Sequence, residues 1–419
     1  MKILLRDVLL DSSKKSILLE NGKISRIAPE IAISAAEIAG VEIFDAGGRL
    51  AVMPPFYNAH NHAAMTLLRG YAEDLELFDW LSNHIWPVEA RLSAEDIYIG
   101  TKLAAVEMIR SGSVYFNDSY WHPEASLRAV QASGMRATLG LLYLGNISPD
   151  AQKANEMLIE AAQDAENVTV SHTPHAIYTV DKATLQKIAA MMEKDGRPVH
   201  IHVAETRKEV EECLKEHHAT PVEYLDSLGL INERAMLAHC VHLTAHDREI
   251  IAERRAFIAH NPVSNMKLCS GLFDFEAAVK AGCRVAIGTD GTSSNNNLSM
   301  LEEMKIAALT AKIVSSDPKA GKTQDIFHAA TAVGAEFAGV AAGKIAAGMA
   351  ADMILIDLAH PVMSAGYDQV ADMVYAASPE VIDSVICNGR FLMKNRIIPQ
   401  ETEIIAQAQE VCRKIASWR

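Results

Sequence analysis

From Pro54 onward the sequence keeps one rhythm: a short apolar, β-branched run, then a longer amphipathic stretch, repeated to about residue 290. Eight runs read as strands, near 56–59, 114–117, 136–142, 168–171, 199–203, 236–238, 257–259 and 285–287. Between them, segments such as 94–109, 182–193, 206–225 and 245–254 carry apolar residues at helical spacing. Strands that alternate with helices pair in parallel, because a parallel neighbour is reached only by a long crossover. Eight such units predict an α/β fold with a closed (β/α)8 barrel of the TIM type. An open doubly wound sheet fits less well, since it usually binds its ligand through a glycine-rich first turn, and none follows these strands.

The two ends of the chain have a different texture. Alternating runs at 2–5, 16–19 and 42–44 break at Asn21-Gly22 and Gly47-Gly48, which are turn signals. Beyond residue 342 short runs return at 353–356, 381–387 and 391–393, and 401–418 reads as a closing helix. The simplest assembly pairs both ends into one small discontinuous β-sandwich domain. The expected organisation is therefore 1–53 and 343–419 in the small domain, with the barrel at 54–342. A chain of 419 residues has room for one large barrel and such a companion.

Charge and composition narrow the partners. A net charge of -14 without a basic patch argues against nucleic acid. No run approaches the roughly 20 apolar residues of a membrane span, and the apolar run at the start is too short for a signal peptide. The six cysteines form no CxxC pair, so reduced thiols in a cytoplasmic protein are expected. Self-association into a homo-oligomer stays open.

Six residues at or just past these apolar runs carry the chemistry: His60, His62, His202, Glu205, His239 and Asp290. Imidazole nitrogens and carboxylate oxygens are what zinc binds, and a catalytic zinc keeps one position open for water. His60 and His62 are two apart, so on a strand both rings face one side. His200 shares a face with His202 but lies deeper, and is assigned to packing inside the barrel. His242 is assigned to the loop after His239. Singly, each residue has an ordinary explanation: an incidental histidine, a first-turn acid, a turn aspartate. Together, one per strand end and in order, they point to metal-assisted hydrolysis. The fourth strand ends without a lysine, so a carbamylated lysine bridging two metals has no source there, and a single metal is expected.

These residues resemble the amidohydrolase superfamily, and within it the methylthioadenosine/S-adenosylhomocysteine deaminase group. The resemblance runs through His60-Asn61-His62, Met65 to Gly70, Trp80-Leu81, Pro87 to Leu92, Pro174-His175 and His202 to Glu205. It continues through Ala238 to His242, His260-Asn261-Pro262, Ser264 to Leu268 and Gly288 to Gly291. It implies one zinc per chain, with iron or manganese as alternatives, held by His60, His62, His202 and Asp290. It also implies that Glu205 protonates the purine ring, Asp290 takes a proton from the attacking water, and His239 steadies the oxygen. Glu89 would hold the ribose hydroxyls, His175 would contact the purine and Trp80 would pack over the nucleoside.

One departure bears on the substrate. In the group, S-adenosylhomocysteine is bound through an arginine at the end of the third strand and another in the next loop. Here the strand ends Gly140 to Gly145, the loop through Asn155 has no arginine, and Arg136 lies at the strand's start. Leu141 is read as facing the substrate's far end. A neutral 5′-substituent follows, as in methylthioadenosine, 5′-deoxyadenosine or adenosine, with Lys153 keeping the homocysteine conjugate open. The alternatives are a related enzyme acting on guanine, a pterin or a triazine, and a non-catalytic interaction protein on a hydrolase barrel.

Overall fold

The computed structural model describes residues 2–33, 40–145 and 149–418. Eight parallel strands follow one another around a barrel: Phe56–Asn61, Ser113–Asp118, Arg136–Tyr143, Val168–Pro174, Val199–Val203, Ala235–His239, Phe257–His260 and Arg284–Ile287. All eight expected strands are present, each extended by a residue or more or matched as read. The ring closes at its C-terminal rim. There the Asp290 amide donates to the His60 carbonyl at 3.0 Å, and the Asn58 side chain bridges to Thr289.

The chain ends form a second, mixed sheet of eight strands. Lys2–Leu10 is its spine, pairing Ser13–Glu20 on one side and Val41–Asp45 on the other. The two ends join where Leu50–Met53 runs antiparallel to Met353–Asp357, which then pairs Ile382–Cys387. Ile3, Leu5, Ile17, Leu19, Phe44, Met353, Leu355 and Ile386 share one buried apolar cluster, so the sheet coheres only when both ends meet. Each such side chain contributes roughly 1.5–3 kcal/mol on full burial.

Local signals explain the helices. Ala94–Arg110 starts at Ser93, whose hydroxyl accepts from the Asp96 amide while the Asp96 carboxylate accepts from the Ser93 amide. It buries Ile97, Ala104, Ala105 and Met108 and ends before Gly112 at φ +89°. The stretch expected as one helix over 206–225 is two, Arg207–His217 and Pro221–Ser227. His218 adopts a left-handed φ of 54°, and Thr220 with Pro221 restarts the chain. The segment after the third strand, expected as loop through Asn155, is helical over Pro149–Ala161; residues 146–148 of it lie outside the described residues. Among the described residues, no helix is long and apolar enough to cross a membrane.

Candidate metal and substrate site

Imidazoles and a carboxylate converge at the C-terminal rim because the strands deliver them there. His60 lies on the first strand and His62 just past it, both turned inward by the two-residue alternation. His202 lies on the fifth strand, His239 ends the sixth, and Asp290 follows the eighth. The Nε2 atoms of His60 and His62 each stand 3.3 Å from Asp290 Oδ1, and His202 Nε2 is 3.4 Å from His62 Nε2. The ligand atoms of His60, His62 and His202 lie within 4.8 Å of one another, and so do those of His60, His239 and Asp290.

The other ring nitrogens are occupied. His62 Nδ1 donates to the Ser119 carbonyl and His202 Nδ1 to the His175 carbonyl, each at 2.6 Å. A carbonyl only accepts, so the proton sits on Nδ1 and the Nε2 lone pair faces inward. His60 Nδ1 pairs with His200 Nε2 at 2.8 Å, while its own Nε2 is buried without a hydrogen-bond partner. That orphan, with two more imidazoles and a carboxylate, suits a tetrahedral divalent cation.

The electrostatics agree. Burial drives His60 down to about 4. Burial opposes charge on His62 as well, yet Asp290, the Ser119 carbonyl and Asp118 lift it to about 9. Burial works against ionised Asp290, but the two imidazoles hold its carboxyl well below the usual range. The pocket thus calls for positive charge beside Asp290, and a divalent cation would supply it in place of the proton on His62.

Around this cluster stand groups fitted for proton transfer. Glu205 is buried, accepts from Ser270 Oγ at 3.1 Å and keeps Oε2 3.9 Å from His239 Nε2. Burial raises its pKa, with Asp290 adding to the rise. Behind it, the Glu209 carboxylate accepts from the Ala204 amide at 2.9 Å and the Glu205 amide at 2.8 Å, and burial pushes Glu209 up to about 7. His239 is turned by Asn265, whose Oδ1 lies 2.8 Å from Nδ1. Asp290 Oδ2 accepts from Ser264 at 2.6 Å and Ser294 at 2.9 Å. Ala204, His239 and Asp290 all have left-handed φ, at 50°, 72° and 59°. Such strain, about 1–3 kcal/mol per residue, gathers where surrounding bonds over-determine a site.

Above the cluster opens a cleft of about 670 Å³, counted to its mouth. Trp80, Glu89 and His175 all line it, together with His62, His202, Glu205, His239 and Asp290; His60 lies beneath. Glu89 is buried, accepts from Trp121 Nε1 at 3.1 Å through Oε2, and has the Tyr120 hydroxyl acting on its carboxylate, while Oε1 lacks a well-formed hydrogen bond. His175 is lowered to about 3 by burial and by neighbouring imidazoles, so its ring is neutral. Sequence reading missed Trp86, Tyr120, Trp121 and Tyr178, which also face the cleft. It missed His200 as the partner of His60, although the two-residue spacing to His202 held that signal. His242 Nε2 meets the Ser270 carbonyl at 2.7 Å, bracing the loop that touches Glu205.

Leu142 near the end of the third strand and Leu144 just past it line the cleft; Leu141 is buried and does not line it, as strand alternation requires. Arg136, at the far end of that strand, is bound to Asp352 at 2.8 and 3.2 Å. Lys153 lines an adjoining cavity that shares Trp121 and Leu142 with the main cleft.

The sequence pattern of the amidohydrolase family matches residues 51–392. The chain belongs to the amidohydrolase family. It is 44% identical over 398 residues to the 5′-deoxyadenosine deaminase of Methanospirillum hungatei, spanning 93% of this chain and 88% of that protein. It is 42% identical over 376 residues to 5-methylthioadenosine/S-adenosylhomocysteine deaminase 1 of Archaeoglobus fulgidus, spanning 88% and 89%. The crystal structure of an adenosine deaminase from Xanthomonas campestris with bound zinc matches with a TM-score of 0.91 at 31% identity, covering 99% of this chain and 98% of that one. As an amidohydrolase, the chain is a metal-dependent hydrolase of C–N bonds.

Proposed function

We propose that this amidohydrolase deaminates adenosine analogues bearing a neutral 5′-substituent, replacing the purine 6-amino group with oxygen. One observation carries the reading. A histidine-carboxylate cluster with two proton-transfer groups lies under a cleft where Glu89 has a carboxylate oxygen without a well-formed hydrogen bond. A vicinal diol is the partner that such an oxygen fits, and the adenosine-type substrates named for its relatives support the assignment.

The cation is assigned as one zinc ion on His60, His62, His202 and Asp290. When bound it supplies Lewis acidity that makes water nucleophilic near neutral pH. Asp290 accepts a proton from the attacking water, held in line by Ser264 and Ser294. Glu205, with its raised pKa, gives a proton to ring N1 as the water oxygen bonds to C6. His239, turned by Asn265, directs Nε2 at the oxygen. The C6–N bond then breaks with its electron pair on nitrogen, Asp290 passes the amine the proton it took, ammonia leaves, and the remaining hydroxyl proton returns to Glu205. N1 keeps its proton and C6 becomes a carbonyl. Trp80 packs over the nucleoside and neutral His175 contacts the purine. A cytoplasmic setting is part of this reading, supported by six free cysteines.

An ammonia-release panel on the zinc-loaded protein tests it, with methylthioadenosine, 5′-deoxyadenosine, adenosine, S-adenosylhomocysteine and guanine. The neutral nucleosides should exceed S-adenosylhomocysteine by about tenfold or more in kcat/KM, since Leu142 and Leu144 offer a carboxylate nothing. Preference for guanine, or no ammonia from any adenosine analogue, defeats the proposal. Preference for S-adenosylhomocysteine would move the assignment to Lys153 and its adjoining cavity.

A further inference from the structure

Glu303 is fully buried on the helix Met300–Ser315, and it does not line the cleft. Its carboxylate joins two loops that arrive from different strands. Oε2 accepts from the Val263 amide at 3.2 Å, in the first turn of the helix Pro262–Lys267 that follows the seventh strand. Oε1 accepts from Asn295 Nδ2 at 2.6 Å, and the same amide group donates to the Thr289 carbonyl at 2.6 Å, in the loop after the eighth strand. One residue beyond Val263 is Ser264, and one residue before Asn295 is Ser294. These two hydroxyls are the ones that meet Asp290 Oδ2. Ser294 also lies 3.1 Å from the Gly291 carbonyl, but the carboxylate at 2.9 Å is nearer and charged, and so the better acceptor.

We propose that Glu303 is a positioning residue for Asp290, fixing the outer carboxylate oxygen through Val263–Ser264 on one side and Asn295–Ser294 on the other. A single buried acid sets the spacing of both hydroxyls. The inner oxygen, Oδ1, stays toward His60 and His62. Asp290 is strained at φ 59° and would relax without this bracing. The inference rests on the reading of Asp290 as ligand and proton acceptor.

The test is a double-mutant cycle on the zinc-loaded full chain, with Glu303→Gln, the pair Ser264→Ala/Ser294→Ala, and all three together. Glutamine keeps the shape but faces one of its two donors with an N–H. Glu303→Gln should lower kcat about tenfold or more with little change in nucleoside KM, and weaken zinc about tenfold in chelator competition. In the double-alanine background the same change should cost less than about threefold in kcat, because its route to Asp290 is gone. Losses that multiply independently, or a zinc affinity unchanged by Glu303→Gln, would overturn the proposal. Asn295→Ala severs one arm without touching the acid and should give a smaller loss of the same kind, so the test stands if Glu303→Gln folds poorly. If the wild type releases no ammonia, the functional reading falls, and the zinc-affinity cycle still decides on Glu303.

Discussion

Glu89 and Glu209 are both buried acids, and their partners give them opposite tasks. Glu89 lines the cleft and holds one oxygen buried without a well-formed hydrogen bond, so its truncation removes an acceptor and leaves Trp121 Nε1 without a partner. Glu89→Ala should raise KM for 5′-deoxyadenosine by about 10- to 100-fold, with a smaller effect on kcat, as expected for a lost charge-assisted hydrogen bond. Unchanged steady-state KM in that variant would remove the ribose assignment. Glu209 has both oxygens engaged and acts on the backbone beneath Glu205. Its pKa is raised by burial from an ordinary 4.5 to about 7. Between those values the folded chain keeps a proton that the unfolded chain has released. Its contribution is complete below about pH 4.5 and is lost as pH rises through about 7, on the order of 3 kcal/mol at most. With zinc saturating, the fall in Tm from pH 5 to pH 8 should be shallower in Glu209→Gln than in the wild type. Parallel falls would show that Glu209 titrates at its ordinary value.

At the scale of elements, the strand positions were legible and the turns that aim their side chains were not. Apolar runs and the two-residue period marked all eight barrel strands, and with them His60, His62, His202 and His239. Left-handed φ at Ala204, His239 and Asp290 left no trace in residue type, because none is glycine. Ser264 and Asn265 were legible only as part of a matching segment and Ser294 not at all, since a serine after a strand has many ordinary uses. The break at His218 is readable from Thr220-Pro221, a helix-start signal set within otherwise uninterrupted helical spacing. Leu142 in place of Leu141 follows from the strand's register, which a single sequence leaves uncertain by a residue. Close approach between elements also escapes sequence reading. A Cβ on Gly288 would lie 2.5 Å from Asn261 Oδ1 and 2.7 Å from the His60 amide nitrogen, where the first and eighth strands meet. Gly288→Ala should therefore cost about 1–3 kcal/mol by overpacking and weaken zinc. Denaturant unfolding and chelator competition measure both, and an unchanged midpoint would show that the seam gives way freely.

For the whole molecule, the division of labour follows from where the pieces lie. The mixed sheet pins both chain ends, and Asp352 ties it to the barrel through Tyr57 at 2.5 Å and through Arg136. The histidine-carboxylate cluster sits at the barrel's C-terminal rim, at the opposite end from that tie. Removing the cation with a chelator should abolish ammonia release and lower Tm, because a ligand of the native state stabilises in proportion to its affinity. Added zinc should restore both. Activity that survives exhaustive chelation would contradict a metal-dependent reaction.

The bond from the Asp290 amide to the His60 carbonyl closes the ring, and the same two residues supply the cluster beneath it. Asn58 and Thr289, which reinforce the closure, are 231 positions apart. During synthesis His60 and His62 must wait for more than half the chain before their counterpart exists, so the site cannot form until the eighth strand and Asp290 have been made. Assembly of so distant a contact is also slow. In the finished molecule, opening the seam would separate two residues of the cluster, so seam opening and loss of the cation should be coupled. Hydrogen exchange at the Thr289 and Asp290 amides should accelerate together when zinc is withdrawn, and protection that outlasts the metal would separate lock from cofactor.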